Sequence, residues 1–145
     1  MKLNIFKEPQ LAETEVTVRY PKMSPKVENL IGTLQAYCSS VRAVKDGSTQ
    51  TLMLDTIYYF ESVDEKSYIY TESDVFDCRQ KLYVIEKTLE DTSFIRISKS
   101  CIINISKLKS VKPFLNGRFE ATMLNDEKVI INRHYVPAFK KKFGL

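Results

Sequence analysis

From residue 41 onward the sequence repeats one local pattern, a short segment rich in Ile, Val, Tyr and Phe followed by a pair of turn-forming residues. Asp46-Gly47 and Asn116-Gly117 are the strongest pairs, because a type I′ hairpin turn needs two residues that tolerate a positive φ. Weaker turn pairs are Asp64-Glu65, Ser73-Asp74 and Asn125-Asp126. The strands predicted between the turns are TIYYFESV (56–63), SYIYT (67–71), VFDCR (75–79), FEATML (119–124) and KVIIN (128–132). Short strands joined by tight turns predict a mostly β fold.

The first forty residues have a different texture and predict a strand followed by a helix. In ETEVTVRY (13–20) every second residue is apolar, which is typical of a half-buried strand. Ser24 is a suitable helix N-cap and Pro25 a suitable first helical residue. Apolar residues then recur at helical spacing to residue 39, at Val27, Leu30, Ile31, Leu34 and Cys38. We therefore expect an N-terminal extension over 1–40, serving dimerisation or regulation, in front of a β domain over 41–145. Two short helices are predicted at 81–90 and 135–143.

The length and the apolar pattern limit the class of protein. A chain of 145 residues is suited to a single domain, and it has no apolar run of 18 residues that would predict a membrane span. The N-terminus turns polar and acidic too early for a signal peptide, so a cytoplasmic protein is expected. Cys38, Cys78 and Cys101 are odd in number and widely spaced, which predicts buried thiols and neither a disulfide framework nor a zinc site.

The basic residues are concentrated towards the C-terminus. Residues 94–145 hold eleven Lys or Arg and three acidic residues, a net charge of +8, whereas residues 1–93 hold eleven basic and fifteen acidic residues, a net charge of −4. A basic segment that is short of acids is typical of a protein that binds a polyanion, most often nucleic acid.

Residue patterns that carry catalysis are nearly absent. His134 is the single histidine, and the four glycines form neither a phosphate-binding loop nor a nucleophile elbow. Carboxylate pairs such as Asp126-Glu127 fall at predicted turns, where solvated acids are the rule. We therefore expect no enzymatic activity, no cofactor and no metal.

The segment FIRISKSCIINI (94–105) places a small polar island, Ser98-Lys99-Ser100, between two apolar runs. If 94–97 is a strand, Phe94 and Arg96 face one side of it and Ile95 and Ile97 the other. The island must then be a surface connection that apolar residues hold at both ends. Rigidly held polar loops on a β scaffold are common places for binding residues.

The segment from Phe94 to Phe143 resembles the LytTR-type DNA-binding domain of bacterial transcription regulators. The resemblance is carried by FIRISKS, an aliphatic run ending at Asn104, the Ile105–Val111 turn, an aromatic Asn-Gly hairpin (114–119) and the closing Asn-Arg-His-Tyr (132–135). LDTIYYFESVDEKSYIYT (54–71) resembles the opening strands of that domain, so the likeness covers about 41–143.

The resemblance implies an elongated β fold that lays its connecting loops into successive DNA major grooves. The implied contact residues are Lys66 and Ser67 in the first loop, Arg96, Ser98, Lys99 and Ser100 in the island, and Arg133 and His134 in the third loop. Arg and Lys can donate hydrogen bonds to guanine O6 and N7, and hydroxyls suit phosphates. Weaker candidates for phosphate contact are Lys107, Lys109, Arg118 and Lys140.

Two positions depart from the family pattern. Asn132 stands where the family usually has Ser, and Ser98-Lys99 stand where it often has His or Arg. These differences bear on the DNA sequence that is read. Only about forty residues precede the domain, too few for a phospho-receiver. The resemblance is therefore to stand-alone regulators, and it implies paired DNA repeats, a homodimer and a companion membrane protein as partners.

Two other functions fit the same residues. The chain could bind single-stranded DNA or RNA on an aromatic sheet, because five aromatic side chains are available to stack on bases: Tyr58, Tyr59, Phe60, Tyr68 and Tyr70. It could also be a protein-interaction module that sequesters a partner through its acidic N-terminal part.

Overall fold

The computed structural model describes all residues, 1–145, and the predicted mostly β fold is confirmed. The helices are α1 (Pro25–Tyr37), α2 (Leu82–Thr88) and α3 (Val136–Phe143). The ten strands are β1 (Ser40–Lys45), β2 (Ser48–Met53), β3 (Tyr59–Val63), β4 (Lys66–Tyr70), β5 (Val75–Cys78), β6 (Phe94–Ser98), β7 (Cys101–Asn104), β8 (Leu108–Pro113), β9 (Phe119–Met123) and β10 (Lys128–Ile131). All three helices are too short or too polar to cross a lipid bilayer.

Turn chemistry decides where the strands reverse. Asp46 and Gly47 have φ values of 52° and 76° at the β1–β2 hairpin, and Asn116 and Gly117 have 60° and 73° between β8 and β9. A positive φ is the conformation that Asp, Asn and Gly tolerate best, so both predicted hairpins are confirmed.

The strands form two antiparallel sheets. The first has seven strands in the order β2-β1-β5-β4-β3-β7-β6, and the second has three in the order β10-β9-β8. Six of the eight strand pairings join consecutive strands, and the other two join β1 to β5 and β3 to β7. β2 is the edge strand on one side of the larger sheet.

Each face of the larger sheet packs against its own apolar core. One face packs with α2 in a core that contains Phe60, Phe94 and Ile102. The other face contributes Ile97 and Ile103 to a core shared with the smaller sheet and α3. Phe94 and Ile97 thus point to opposite sides of β6, as the alternation of apolar residues predicted.

Asn104 is a polar side chain at the centre of the fold, with an exposed fraction of 0%. Its Nδ2 donates to the Ile57 carbonyl at 2.9 Å, and its Oδ1 accepts from the Ser93 hydroxyl at 2.8 Å. The same Oδ1 accepts from the Ser106 N–H at 3.1 Å and from the Ser106 hydroxyl at 2.7 Å. One side chain therefore joins three segments of the chain, with every buried polar atom paired.

The helix predicted in the N-terminal extension is confirmed, and the strand predicted before it is wrong. Ser24 accepts a hydrogen bond from Val27 N–H at 3.3 Å and caps α1. Residues 13–20 form no strand, because no other strand of the chain pairs with them. α1 packs closely on the domain, since a Cβ at Gly32 would lie 2.9 Å from the Thr92 carbonyl carbon. The division of the chain at residue 40 stays a prediction.

The cysteines lie in three different environments. Cys101 is buried, as predicted, whereas Cys78 is half-buried and Cys38 at the end of α1 is exposed. Burial raises the pKa of the Cys101 thiol to about 12, so this side chain stays protonated at physiological pH.

Candidate nucleic-acid interface

The polar island is the tight connection between β6 and β7. The Ser100 N–H donates to the Ser98 hydroxyl at 3.1 Å, so the loop closes on its own side chains. A β-bulge between Arg96 and Ser98 shifts the register of β6 against β7 directly before the island. Lys99 at the tip is exposed and has no acidic partner within ion-pair distance.

Arg96 is predicted to be a contact residue of the island, but most of its side chain is buried. Its Nε donates to the Ser98 carbonyl at 2.9 Å and its Nη2 donates to the Lys99 carbonyl. Nη1 pairs with Glu86 of α2 at 3.3 Å, and only 17% of the side chain is exposed. Because its guanidinium is occupied by the loop itself, Arg96 holds the island in place and does not present its charge to solvent.

An Arg96→Lys variant is expected to loosen the island while keeping the charge. A lysine cannot reproduce the planar set of donors that reaches two carbonyls and a carboxylate together. If the free energy of opening the island falls by about 1–2 kcal/mol, the island opens roughly 5–30 times more often. Amide hydrogen exchange at Ser100 measures this rate. Glu86→Gln keeps the side-chain shape and is the milder control; an unchanged exchange rate in Arg96→Lys would contradict the holding role.

Two backbone hydrogen bonds bring the other two predicted loops next to the island, one to Ser100 of the island itself and one to Ile97, the β6 residue that precedes it. The Ser62 N–H, near the end of β3, donates to the Ser100 carbonyl at 2.8 Å. On the other side, the Asn132 N–H donates to the Ile97 carbonyl at 2.9 Å. The β3–β4 turn, the island and the segment after β10 therefore lie side by side. We call these three loops the loop surface.

The first loop of this surface is the Asp64-Glu65 turn between β3 and β4. Both residues have a positive φ, and Lys66 directly after them is exposed without an ion pair. The Lys81 amino group donates to the Glu65 carbonyl at 3.2 Å and ties the turn to the start of α2. Ser67, a predicted contact residue, is only 5% exposed. It lies on the core side of β4, so its side chain is not part of the loop surface.

The third loop is a 3₁₀ turn over Arg133–Tyr135, directly after β10. Arg133 and His134 are both exposed, and neither is in an ion pair. The Arg133 side chain lies over Gly117 at the β8–β9 hairpin, where a Cβ would come within 3.0 Å of its Cδ. Gly117 thus leaves room for the arginine, and the hairpin tip borders the loop surface.

The four weaker candidates for phosphate contact differ in their neighbours. Lys109 pairs with Asp126 at 2.9 Å, which neutralises its charge locally. Three cations lie over aromatic rings: Lys107 at 5.6 Å from the Tyr58 centroid, Arg118 at 5.0 Å from Phe114, and Lys140 at 5.0 Å from Phe119. These three have no carboxylate within ion-pair distance, whereas Lys109 shares an exposed ion pair with Asp126.

The aromatic residues of β3 and β4 do not form an open stacking surface. Tyr58, Tyr59 and Phe60 are buried, with exposed fractions of 7%, 8% and 0%. Tyr59 stacks on Tyr70 with 4.3 Å between ring centroids and donates its hydroxyl to Glu127 at 2.7 Å. Burial and the Glu127 carboxylate raise the pKa of Tyr59. Of the five aromatic side chains named for stacking on single-stranded bases, three are therefore buried, and Tyr68 and Tyr70 are half-buried.

Two residues that position the loops were missed at the sequence level. Glu86 reaches Arg96 from α2, and Lys81 reaches the β3–β4 turn from the position before α2. The helical spacing of Leu82, Ile85 and Leu89 could have indicated which face of α2 is buried. It does not indicate which strand that face covers.

The family model of the LytTr DNA-binding domain matches residues 47–144 of the chain. A solved structure supports the same assignment. It is the LytTr DNA-binding domain of a methyl-accepting/DNA response regulator from Bacillus cereus, with a TM-score of 0.70 and 27% identity. The alignment covers 74% of this chain and 98% of that domain.

Curated relatives share the domain within chains of different length. The sensory transduction protein LytT of Enterococcus faecalis is 34% identical over 88 residues, which are 60% of this chain and 36% of LytT. This chain therefore matches little more than a third of LytT. An HTH-type transcriptional regulator of Staphylococcus aureus is 24% identical over 147 residues, covering 100% of this chain and 99% of that protein. With the family model matched over residues 47–144 and the fold shared, the chain belongs to the LytTr DNA-binding domain family.

Proposed function

We propose that this chain is a transcription regulator that binds double-stranded DNA sequence-specifically and reads the major groove with its loop surface. The observation that carries the proposal is the pair of backbone hydrogen bonds at 2.8 and 2.9 Å that hold the three loops side by side. Three exposed cations without acidic partners lie on those loops: Lys66, Lys99 and Arg133.

The chemistry of each loop suits one part of a DNA contact. Lys99 and Arg133 can donate to the O6 and N7 acceptors of guanine, and His134 stands beside Arg133 at the same loop. The hydroxyls of Ser98 and Ser100 suit phosphate oxygens. Lys107, Arg118 and Lys140 add positive charge for backbone phosphates. Arg96 supports the reading residues by fixing the island and contributes no base contact of its own.

A titration of the wild-type chain against random duplex and random single strand, over a series of salt concentrations, tests the proposal. We expect tighter binding to duplex, with a slope of log K against log salt that grows by about 0.9 for each phosphate neutralised. Equal binding to the single strand would contradict duplex recognition. A slope near zero would show that the loop surface does not bind phosphates.

The family resemblance extends the proposal to partners and location. We propose that a homodimer occupies paired DNA repeats in the cytoplasm and that a companion membrane protein controls it. A nuclease footprint is expected to show two protected segments spaced by about 10 base pairs or a multiple, because the same groove then faces both copies. Co-sedimentation of the chain with cell membranes tests for the companion membrane protein. A chain that stays in the supernatant under every growth condition would contradict this partner.

A further inference from the structure

The first 23 residues, which we call the N-terminal arm, contain no helix, no strand and no buried residue. The arm has a single backbone hydrogen bond, from the Leu11 N–H to the Glu8 carbonyl at 3.1 Å, and no backbone hydrogen bond joins it to the rest of the chain. Ser24, directly after the arm, is the N-cap of α1. The rest of the chain therefore provides no backbone hydrogen-bond partner for the arm.

The arm leaves many of its apolar side chains exposed to water. It holds eight of the 17 large hydrophobic side chains that are exposed in the whole chain. Leu3, Ile5 and Phe6 are each more than 80% exposed. Soluble monomers rarely leave apolar side chains gathered in this way, and such gatherings mark interaction sites.

The free edge of β2 is the second surface that lacks a partner. β2 is an end strand of the seven-stranded sheet, and it pairs with β1 alone. Its sequence, STQTLM (48–53), has no charged residue and no proline, and all but one of its residues are exposed. Natural proteins usually protect such an edge with Lys, Pro or a bulge, because an unprotected edge accepts another strand.

We propose that the arm docks on a second copy of this chain, with ETEVTVRY (13–20) adding a strand to the free edge of β2 in that copy. Apolar residues alternate with polar ones at Val16, Val18 and Tyr20, as a half-buried strand requires. The segment lacks only a neighbouring strand to share its backbone hydrogen bonds. Because each copy has one arm and one free edge, two copies exchange arms about a two-fold axis and leave neither unpaired.

The arm exchange rests on the homodimer proposed above and is independent of DNA binding. Sedimentation equilibrium of the full chain without DNA tests it, because a failure to bind DNA leaves the sedimenting mass unchanged. Wild type is expected to have the mass of two chains at micromolar concentration. The variant that starts at Ser24 keeps α1 and its packing on the domain, and it is expected to have the mass of one chain.

Point variants identify the two surfaces. Val16→Pro with Thr17→Pro removes two successive N–H groups, of which one must face the partner strand, and is expected to give a monomer. Val16→Ile with Val18→Ile keeps the strand pattern and is expected to stay dimeric. Thr49→Lys protects the β2 edge and is expected to raise the dimer dissociation constant at least about tenfold.

Three outcomes would overturn the arm exchange. The first is a wild-type chain that is monomeric, and the second is a dimer that survives loss of the arm. A dimer that needs the arm but tolerates Thr49→Lys would place the docking site away from β2. Binding of a monomeric wild type to vesicles of anionic lipid, lost on removal of the arm, would assign the arm to a membrane surface instead.

Discussion

The Asn104→Ala variant is expected to lose about 3–5 kcal/mol of unfolding free energy, since each buried polar group left without a partner costs about 1–3 kcal/mol. The substitution leaves two buried groups, the Ile57 carbonyl and the Ser93 hydroxyl, without the partner that now satisfies them. A domain of this size has only about 5–15 kcal/mol in total. Urea denaturation followed by circular dichroism measures the loss.

Ile103→Val is the matched control for Asn104→Ala. Ile103 precedes Asn104 on β7 and is fully buried, but its side chain takes no part in the hydrogen-bond network. Removing one methylene there is expected to cost about 0.5–1.5 kcal/mol. If Asn104→Ala costs no more than Ile103→Val, the network does not join the three segments as its geometry indicates.

The features that the sequence predicts well are those decided by neighbours along the chain. The Asn116-Gly117 turn follows from two residues that accept a positive φ, wherever the hairpin lies in the fold. The opposite faces of Phe94 and Ile97 follow from the alternation of side chains along a strand. The Ser24 cap of α1 follows from a hydroxyl placed before a proline-led helix.

The features that the sequence does not predict depend on residues distant along the chain. Arg96 could face solvent or the island, and its pairing with Glu86 depends on where α2 packs. Ser67 and Lys66 are neighbours on β4, and only the position of the core decides which of them is buried. The 13–20 segment has the pattern of a strand, but a strand forms only where a partner edge is available.

The order of loops along the loop surface is likewise a result of topology. Ser62, Ser100 and Asn132 are far apart in the sequence and are joined by hydrogen bonds of β3, β6 and the segment after β10. The family resemblance named the three loops separately. The first loop and the island are adjacent because β3 and β6 both pair with β7, and the third loop reaches them from the smaller sheet through the Asn132–Ile97 hydrogen bond. This adjacency allows a single duplex to contact more than one loop.

The double variant Lys99→Ala with Arg133→Ala is expected to weaken binding to a cognate duplex at least about 30-fold, since each base-reading side chain contributes roughly 1–3 kcal/mol. Both side chains are exposed and hold no ion pair, so the fold loses little with them. The free energy of unfolding is expected to differ from that of wild type by no more than about 0.5 kcal/mol for each surface substitution. Binding titrations on cognate and scrambled duplexes, paired with thermal melts, measure both quantities.

Three control variants separate reading, charge and folding in the same assays. Lys140→Ala is expected to weaken cognate and scrambled duplexes alike and to lower the salt slope by about one unit. Lys109→Ala is expected to change little, because Asp126 already neutralises this lysine. Ile102→Ala is expected to cost about 2–5 kcal/mol of stability through the cavity it leaves, and to lose binding only as the fold fails. A double variant that binds the cognate duplex as tightly as wild type would mean that DNA is read elsewhere on the molecule.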